Sequence, residues 1–123
     1  MTARRGQSGG RAEDLAAQFL QEAGCEVLLR NYRRRAGELD IVARSASVLV
    51  VAEVRTRASN AYGGAAASVT PAKQRRIVRA ASQLLQQRRE LARLPVRFDV
   101  IVVSDPDAGQ PRIEWIRHAF EAS

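Results

Sequence analysis

A chain of 123 residues with a net charge of +7 has the size of one ordinary domain and can bury a core without staples. A single cysteine, Cys25, excludes an internal disulfide and fits a reducing cytosol. No apolar run approaches the roughly 18 residues of a membrane span, and "MTARRGQSGGRAEDLAAQ" lacks the apolar centre of a secretory signal. A cytoplasmic protein without membrane contact is therefore expected.

Residues 1–8 are basic and polar and predict a mobile N-terminus, with residues 9–123 forming one domain. From Gly9 to Ala23, the residues Ala12, Leu15, Ala16, Phe19, Leu20 and Ala23 recur at helical spacing, and Gly24 is a natural stop. "CEVLLRNYRRR" reads as a strand running into a basic turn. "GELDIVAR" and "VLVVAEVR" read as two further strands around the short "SAS". "ASNAYGGAAAS" is a low-complexity loop. Thr70 as N-cap and Pro71 at the first helical position open a second helix, with Ile77, Val78, Ala81, Leu84 and Leu85 as its buried stripe. "VRFDVIVVS" is a strand, "DPDAGQP" a turn, and "RIEWIRHAF" a last strand or a strand passing into coil. The order α-β-β-β-α-β-β predicts an antiparallel meander, then a right-handed helical crossover to a parallel strand, and so a mixed sheet flanked by helices.

Charged residues interrupt two of these strands: Glu38 and Asp40 in one, Glu53 and Arg55 in the next. Side chains of a strand alternate between faces, so each set shares a face. With an even loop centred between Ala46 and Ser47, Asp40 falls opposite Glu53 and Glu38 opposite Arg55. Two carboxylates that close repel each other unless a proton or a cation intervenes. A hard divalent cation such as Mg²⁺ or Mn²⁺ would resolve the conflict. An odd loop would instead put Glu53 on the face away from Asp40, and "AS" is not a favoured two-residue turn. The residues alone leave both registers open.

Glu13 lies about 90° from the centre of the first helix's apolar stripe, at ~100° per residue. It either reaches across the sheet or assists the helix N-terminus through the dipole. Gln74 falls on the stripe of the second helix, where a polar group needs a partner or a wet end. Lys73, Arg75, Arg76 and Arg79 surround it; a charge run of this kind is either a solvated face or a phosphate-binding surface. His118 and Cys25, one of each type, cannot build a zinc cluster or a Cys–His pair within one chain. Arg97 and Asp99 read as a structural ion pair.

Taken together, "GRAEDLAAQFLQEAGCEVLLRNYRRRAGELDIVA", "VVAEVRTR", "VTPAKQRRI" and "RFDVIVV" resemble the YraN-like family of small bacterial proteins. That family is similar to the restriction-endonuclease-like superfamily, which includes archaeal Holliday-junction resolvases. The resemblance, from about Gly10 to Val103, implies an α/β fold with an αβββαβ core around a mixed sheet. It places the superfamily's Asp on Asp40, its Glu on Glu53, its helical acid on Glu13 and its helical Gln on Gln74. Where the superfamily carries Lys, this chain has Arg55.

The activity implied is metal-dependent endonucleolytic cleavage of DNA, branched or damaged. Mg²⁺ or Mn²⁺ would be held by Asp40, Glu53, Glu13 and the backbone carbonyl of Val54. Arg55 would steady the phosphate and Gln74 would orient water or substrate. Arg33, Arg34, Arg57, Lys73, Arg75, Arg76 and Arg79 would contact nucleic acid, and a duplex-sized substrate would call for a homodimer. The alternative is a non-catalytic nucleic-acid-binding adaptor that retains the fold, because arginine stays charged and cannot act as a base. A basic protein-interaction domain is a third reading.

Overall fold

Apolar residues at three- and four-residue spacing draw the chain into a first helix, α1 (Gln7–Glu22), which begins before the pattern reveals it because Gln7 and Ser8 carry no apolar signal. Gly24, at φ +96°, ends it. Cys25 N–H bonds to Leu20 O at 2.9 Å and Gly24 N–H to Gln21 O at 3.0 Å, the paired bonds of a Schellman cap. The computed structural model describes residues 7–58 and 69–122. Of residues 1–8, expected to be mobile, 7 and 8 belong to α1, while residues 1–6 and most of the loop "ASNAYGGAAAS" lie outside the described residues.

Five strands and a second helix follow: β1 (Glu26–Arg34), β2 (Gly37–Ser45), β3 (Val48–Arg57), α2 (Pro71–Gln87), β4 (Val96–Ser104) and β5 (Arg112–Phe120). Thr70 caps α2 as expected, its Oγ1 accepting from the Lys73 N–H at 3.1 Å. A one-turn 3₁₀ segment, Arg89–Leu91, follows α2 and has no counterpart in the apolar pattern. None of the described helices is long and apolar enough to cross a membrane.

The five strands form one sheet in the order β1-β2-β3-β4-β5. Neighbours pair antiparallel except β3 and β4, which run parallel on either side of α2 in the chain. This is the expected α/β fold, a mixed sheet flanked by helices and consistent with a restriction-endonuclease-like core. "RIEWIRHAF" is strand throughout and adds the edge strand β5.

Alternation sorts the strands' apolar side chains onto two faces. Ile41, Ala43, Val50, Ala52, Ile101 and Val103 pack with Ala12, Ala16, Ala17 and Leu20 of α1. Val42, Leu49, Val51, Val100 and Val102 pack with Ile77, Ala80, Ala81 and Leu84 of α2. Leu20 and Leu84 are at most 1% exposed, and burial of each side chain stabilises the fold by roughly 2–3 kcal/mol. The stripe of α1 is rotated relative to the expected one: Glu13 and Ala17 are buried, whereas Leu15 and Phe19 are half-buried and Ala23 is exposed. Phe19 lies at the side of the helix, edge-on to Trp115 of β5.

Asp99 is wholly buried and fully engaged. It takes the Arg97 guanidinium at 2.9 Å, the Trp115 indole N–H at 2.8 Å and the His118 backbone N–H at 2.9 Å. These bonds fasten β5 where its register with β4 shifts between Phe98 and Val100 and His118 turns to φ +56°.

Gly37 sets how closely α2 approaches the sheet. A Cβ there would stand 2.6 Å from the Arg76 carbonyl oxygen and 3.0 Å from its carbonyl carbon, both backbone atoms that cannot step aside. Gly37→Ala is therefore expected to lower unfolding stability by about 1–3 kcal/mol, the usual cost of overpacking. Gly109→Ala, at a position with nothing within 4 Å, should stay within about 0.5 kcal/mol of wild type. Urea titration of the two variants tests this; equal midpoints would mean that α2 is not held against Gly37.

Candidate active site

The two-residue loop Ala46–Ser47 resolves the register. Ile41 pairs with Ala52, Val42 with Val51 and Ser45 with Val48, which is the even alignment. "AS" serves as the turn because Ala46 adopts φ +54°, the positive φ that primed hairpin turns demand. A slip by one residue would carry Val42 and Val51 to the other face of the sheet, so the two cores impose the alignment despite the unfavoured turn residues.

Beyond Ile41 and Ala52 the ladder gives way to side chains. Asp40 Oδ2 accepts the Val54 N–H at 2.9 Å, occupying a main-chain donor that β2 no longer reaches. Asp40 and Glu53 are 7% and 5% exposed and hydrogen-bonded to each other. Burial raises the pKa of both. Glu53 is pushed up to about 7 by burial and then by the negative charge of Asp40, against the pull of Lys73. Asp40 is raised by burial, while the Val54 N–H and the bond from Glu53 work in the opposite direction. Two acids set this close hold a proton between them near neutral pH.

The pair opens into a cleft of about 370 Å³ lined by Ala12, Glu13, Glu38, Val54, Arg55, Thr56 and Lys73 as well as the two acids. Glu13 is 6% exposed and enters from α1, with the Arg30 guanidinium 3.8 Å from its carboxylate. Arg30 bonds more tightly to Asp14, at 2.7 Å. Lys73, from the first turn of α2, places its Nζ 3.0 Å from Glu53 Oε2.

Glu13, Asp40, Glu53, Val54 and Arg55 thus share one cleft. Gln74 does not line it. Its amide donates to Val69 O at 2.9 Å, and it borders a separate hollow with Pro71, Arg75 and Arg79. The helix turns by about 100° between Lys73 and Gln74, so only one of these neighbours can face the acids. Arg75, Arg76 and Arg79 of α2 are all exposed. Arg33 lies 3.5 Å from Glu38, Arg34 stacks 4.3 Å over the Tyr32 ring, and Arg57 donates to Ser104 Oγ at 3.4 Å. Sequence position groups Lys73 with the phosphate contacts, yet the structure sets it against the acid pair. The composition carries a signal for this, since Lys73 stands alone among arginines.

The donor set suits a hard cation. Two adjacent carboxylates match how Mg²⁺ is held when it keeps several of its waters. Among the described residues no three His, Cys, Asp or Glu side chains already converge as a metal cage, so water would complete the coordination.

The raised pKa of Glu53 has a stability consequence. The group ionises near 4.5 in the unfolded chain and near about 7 in the folded one. Between these values the folded chain holds more protons, so stability falls as pH rises through that window. Glu53→Gln is expected to flatten the slope and, above the window, to exceed wild type by on the order of 2–3 kcal/mol. Thermal unfolding in a chelating buffer across this pH range tests it; parallel curves for the two proteins would rule out a buried, proton-sharing Glu53.

A family model described as "Uncharacterised protein family UPF0102" matches residues 12–103, from within α1 through most of β4. A UPF0102 protein of Alkalilimnicola ehrlichii is 47% identical over 116 residues, covering 94% of this chain and 88% of its own length. One from Saccharophagus degradans is 47% identical over 118 residues, covering 96% of each chain. One from Cupriavidus taiwanensis is 49% identical over 116 residues, covering 93% of this chain and 82% of its own. The matched span carries every residue of the acid cleft, and the chain belongs to the UPF0102 family.

Proposed function

We propose that this protein binds DNA and hydrolyses a phosphodiester bond with Mg²⁺ or Mn²⁺ held by Asp40 and Glu53. The observation that carries this reading is the burial of two touching carboxylates at the floor of an open cleft. Such a pair opposes folding near neutral pH, and perturbed acids in a cleft are characteristic of sites that use them. The cation would supply Lewis-acid polarisation of the phosphate and a nucleophilic water at neutral pH.

The residues of the chain would divide the remaining work. Val54 N–H holds Asp40 in a fixed rotamer, so one carboxylate is oriented before any ligand arrives. Arg55, at the cleft wall, offers a planar fork to the phosphate and stays positive throughout. Glu13 lines the same cleft from α1 and would reach the cation through water. Arg75, Arg76 and Arg79 on α2 would meet the backbone of a longer substrate, contributing affinity without sequence preference.

The adaptor reading has one observation in its favour: the Lys73–Glu53 ion pair neutralises the site without any metal. Calorimetry with Mn²⁺ separates the two. Wild type is expected to bind at one site and Asp40→Asn at least about tenfold more weakly, since one of the two charged ligands is lost. Nicking of supercoiled DNA should depend on the metal and vanish in Asp40→Asn. Arg55→Lys, which exchanges the fork for a point charge, should reduce nicking while leaving duplex binding within about threefold. DNA binding without Mn²⁺ binding would establish the adaptor instead.

A further inference from the structure

Lys73 is the single lysine of the chain, and its ammonium lies 3.0 Å from the carboxylate of Glu53. The two ends of this ion pair sit in different environments: the Lys73 side chain is 34% exposed and that of Glu53 is 6% exposed. The pair therefore spans the cleft mouth, with the acid anchored inside and the base reaching in from solvent. Its backbone is fixed, since the Lys73 N–H bonds to the Thr70 cap at 3.1 Å. The side chain beyond it is four flexible carbons.

An ammonium at this distance from a carboxylate oxygen presents its positive charge to any cation approaching that oxygen. Like charges repel, and within a partly buried site that repulsion is screened far less than in water. A divalent ion and the Lys73 ammonium thus compete for the same oxygen of Glu53. Arginine in this place would grip a carboxylate through two parallel bonds, whereas an ammonium is a strongly hydrated point charge that exchanges partners readily. The helix that carries Lys73 also carries Arg75, Arg76 and Arg79, so a polyanion drawn to α2 arrives beside the ammonium.

We propose that Lys73 is a tethered counter-ion that keeps the Asp40–Glu53 pair closed to divalent cations until a phosphate diester draws its ammonium away, so that metal and DNA load cooperatively. The inference rests on the phosphodiester reading of the cleft. By linkage, the factor by which DNA raises metal affinity equals the factor by which metal raises DNA affinity. Lys73 acts here as a positioning residue, through Glu53 and the substrate phosphate.

The test is a pair of calorimetric titrations on the full chain at fixed ionic strength and about pH 8, above the range in which carboxylates titrate. Mn²⁺ is titrated into protein with and without a saturating short phosphorothioate DNA duplex, and the duplex is titrated with and without Mn²⁺. For wild type, each ligand should raise the affinity of the other by at least about fivefold. Lys73→Met should bind Mn²⁺ alone about tenfold more tightly and lose most of the coupling, as its gate is already open. Lys73→Gln serves the same purpose should the methionine variant misfold. Lys73→Arg should bind Mn²⁺ no better than wild type. Equal Mn²⁺ affinity and equal coupling in wild type and Lys73→Met would overturn the gate and leave the cleft reading intact. Absence of Mn²⁺ binding from every variant would overturn both.

Discussion

The alignment of β2 with β3 is the constraint on which the cleft depends. Ile41 opposite Ala52 and Val42 opposite Val51 place two apolar layers correctly at once, and the same alignment carries Asp40 to Glu53 one step further along. The acids are thus positioned by the burial of their aliphatic neighbours rather than by any attraction of their own. Because the period of a strand is two, no small adjustment could separate them. The core and the site are specified by one register.

The chain keeps those acids at an energetic cost that it offsets elsewhere. Within a few residues of the pair lie Leu39, Ile41, Val42, Val51 and Ala52, each at most 3% exposed. Asp99 shows how the fold treats a buried carboxylate whose role is structural, surrounding it with an arginine fork, an indole N–H and a main-chain N–H. Among the described residues, Asp40 and Glu53 have less: one main-chain N–H, one lysine and the bond to each other. The contrast between a satisfied buried acid and an under-satisfied pair, within one sheet, is what the proposed function builds on.

Most of the architecture was legible in the chain because it rests on local signals. Alternation revealed the strands, Thr70–Pro71 the start of α2, and Gly24 the end of α1. The register stays open in the sequence since Ala46 and Ser47 announce no turn; it is decided by packing between residues distant in sequence, which no local pattern records. Glu13 reads as the border of its stripe and proves to be inside it, because α1 is rotated so that Ala17 faces the sheet and Phe19 moves aside toward Trp115. The separation of Lys73 from Gln74 is hidden for the same reason: adjacent helical residues diverge by a quarter turn or more, and only tertiary packing says which one meets the acids.

Irregularity at the margins of the sheet has a further meaning. On β1 the pairing shifts between Val27 and Leu29 and Asn31 stands at φ +54°; on β5 the shift at Phe98 and Val100 coincides with left-handed His118. Neither margin offers another polypeptide a straight run of unmatched amide and carbonyl groups. Arg30, Arg33 and Arg34 on one side and Arg112, Glu114 and Arg117 on the other add charge to the outermost strands. Both devices discourage a sheet from growing by recruiting strands from other molecules, the first step of amyloid-like assembly.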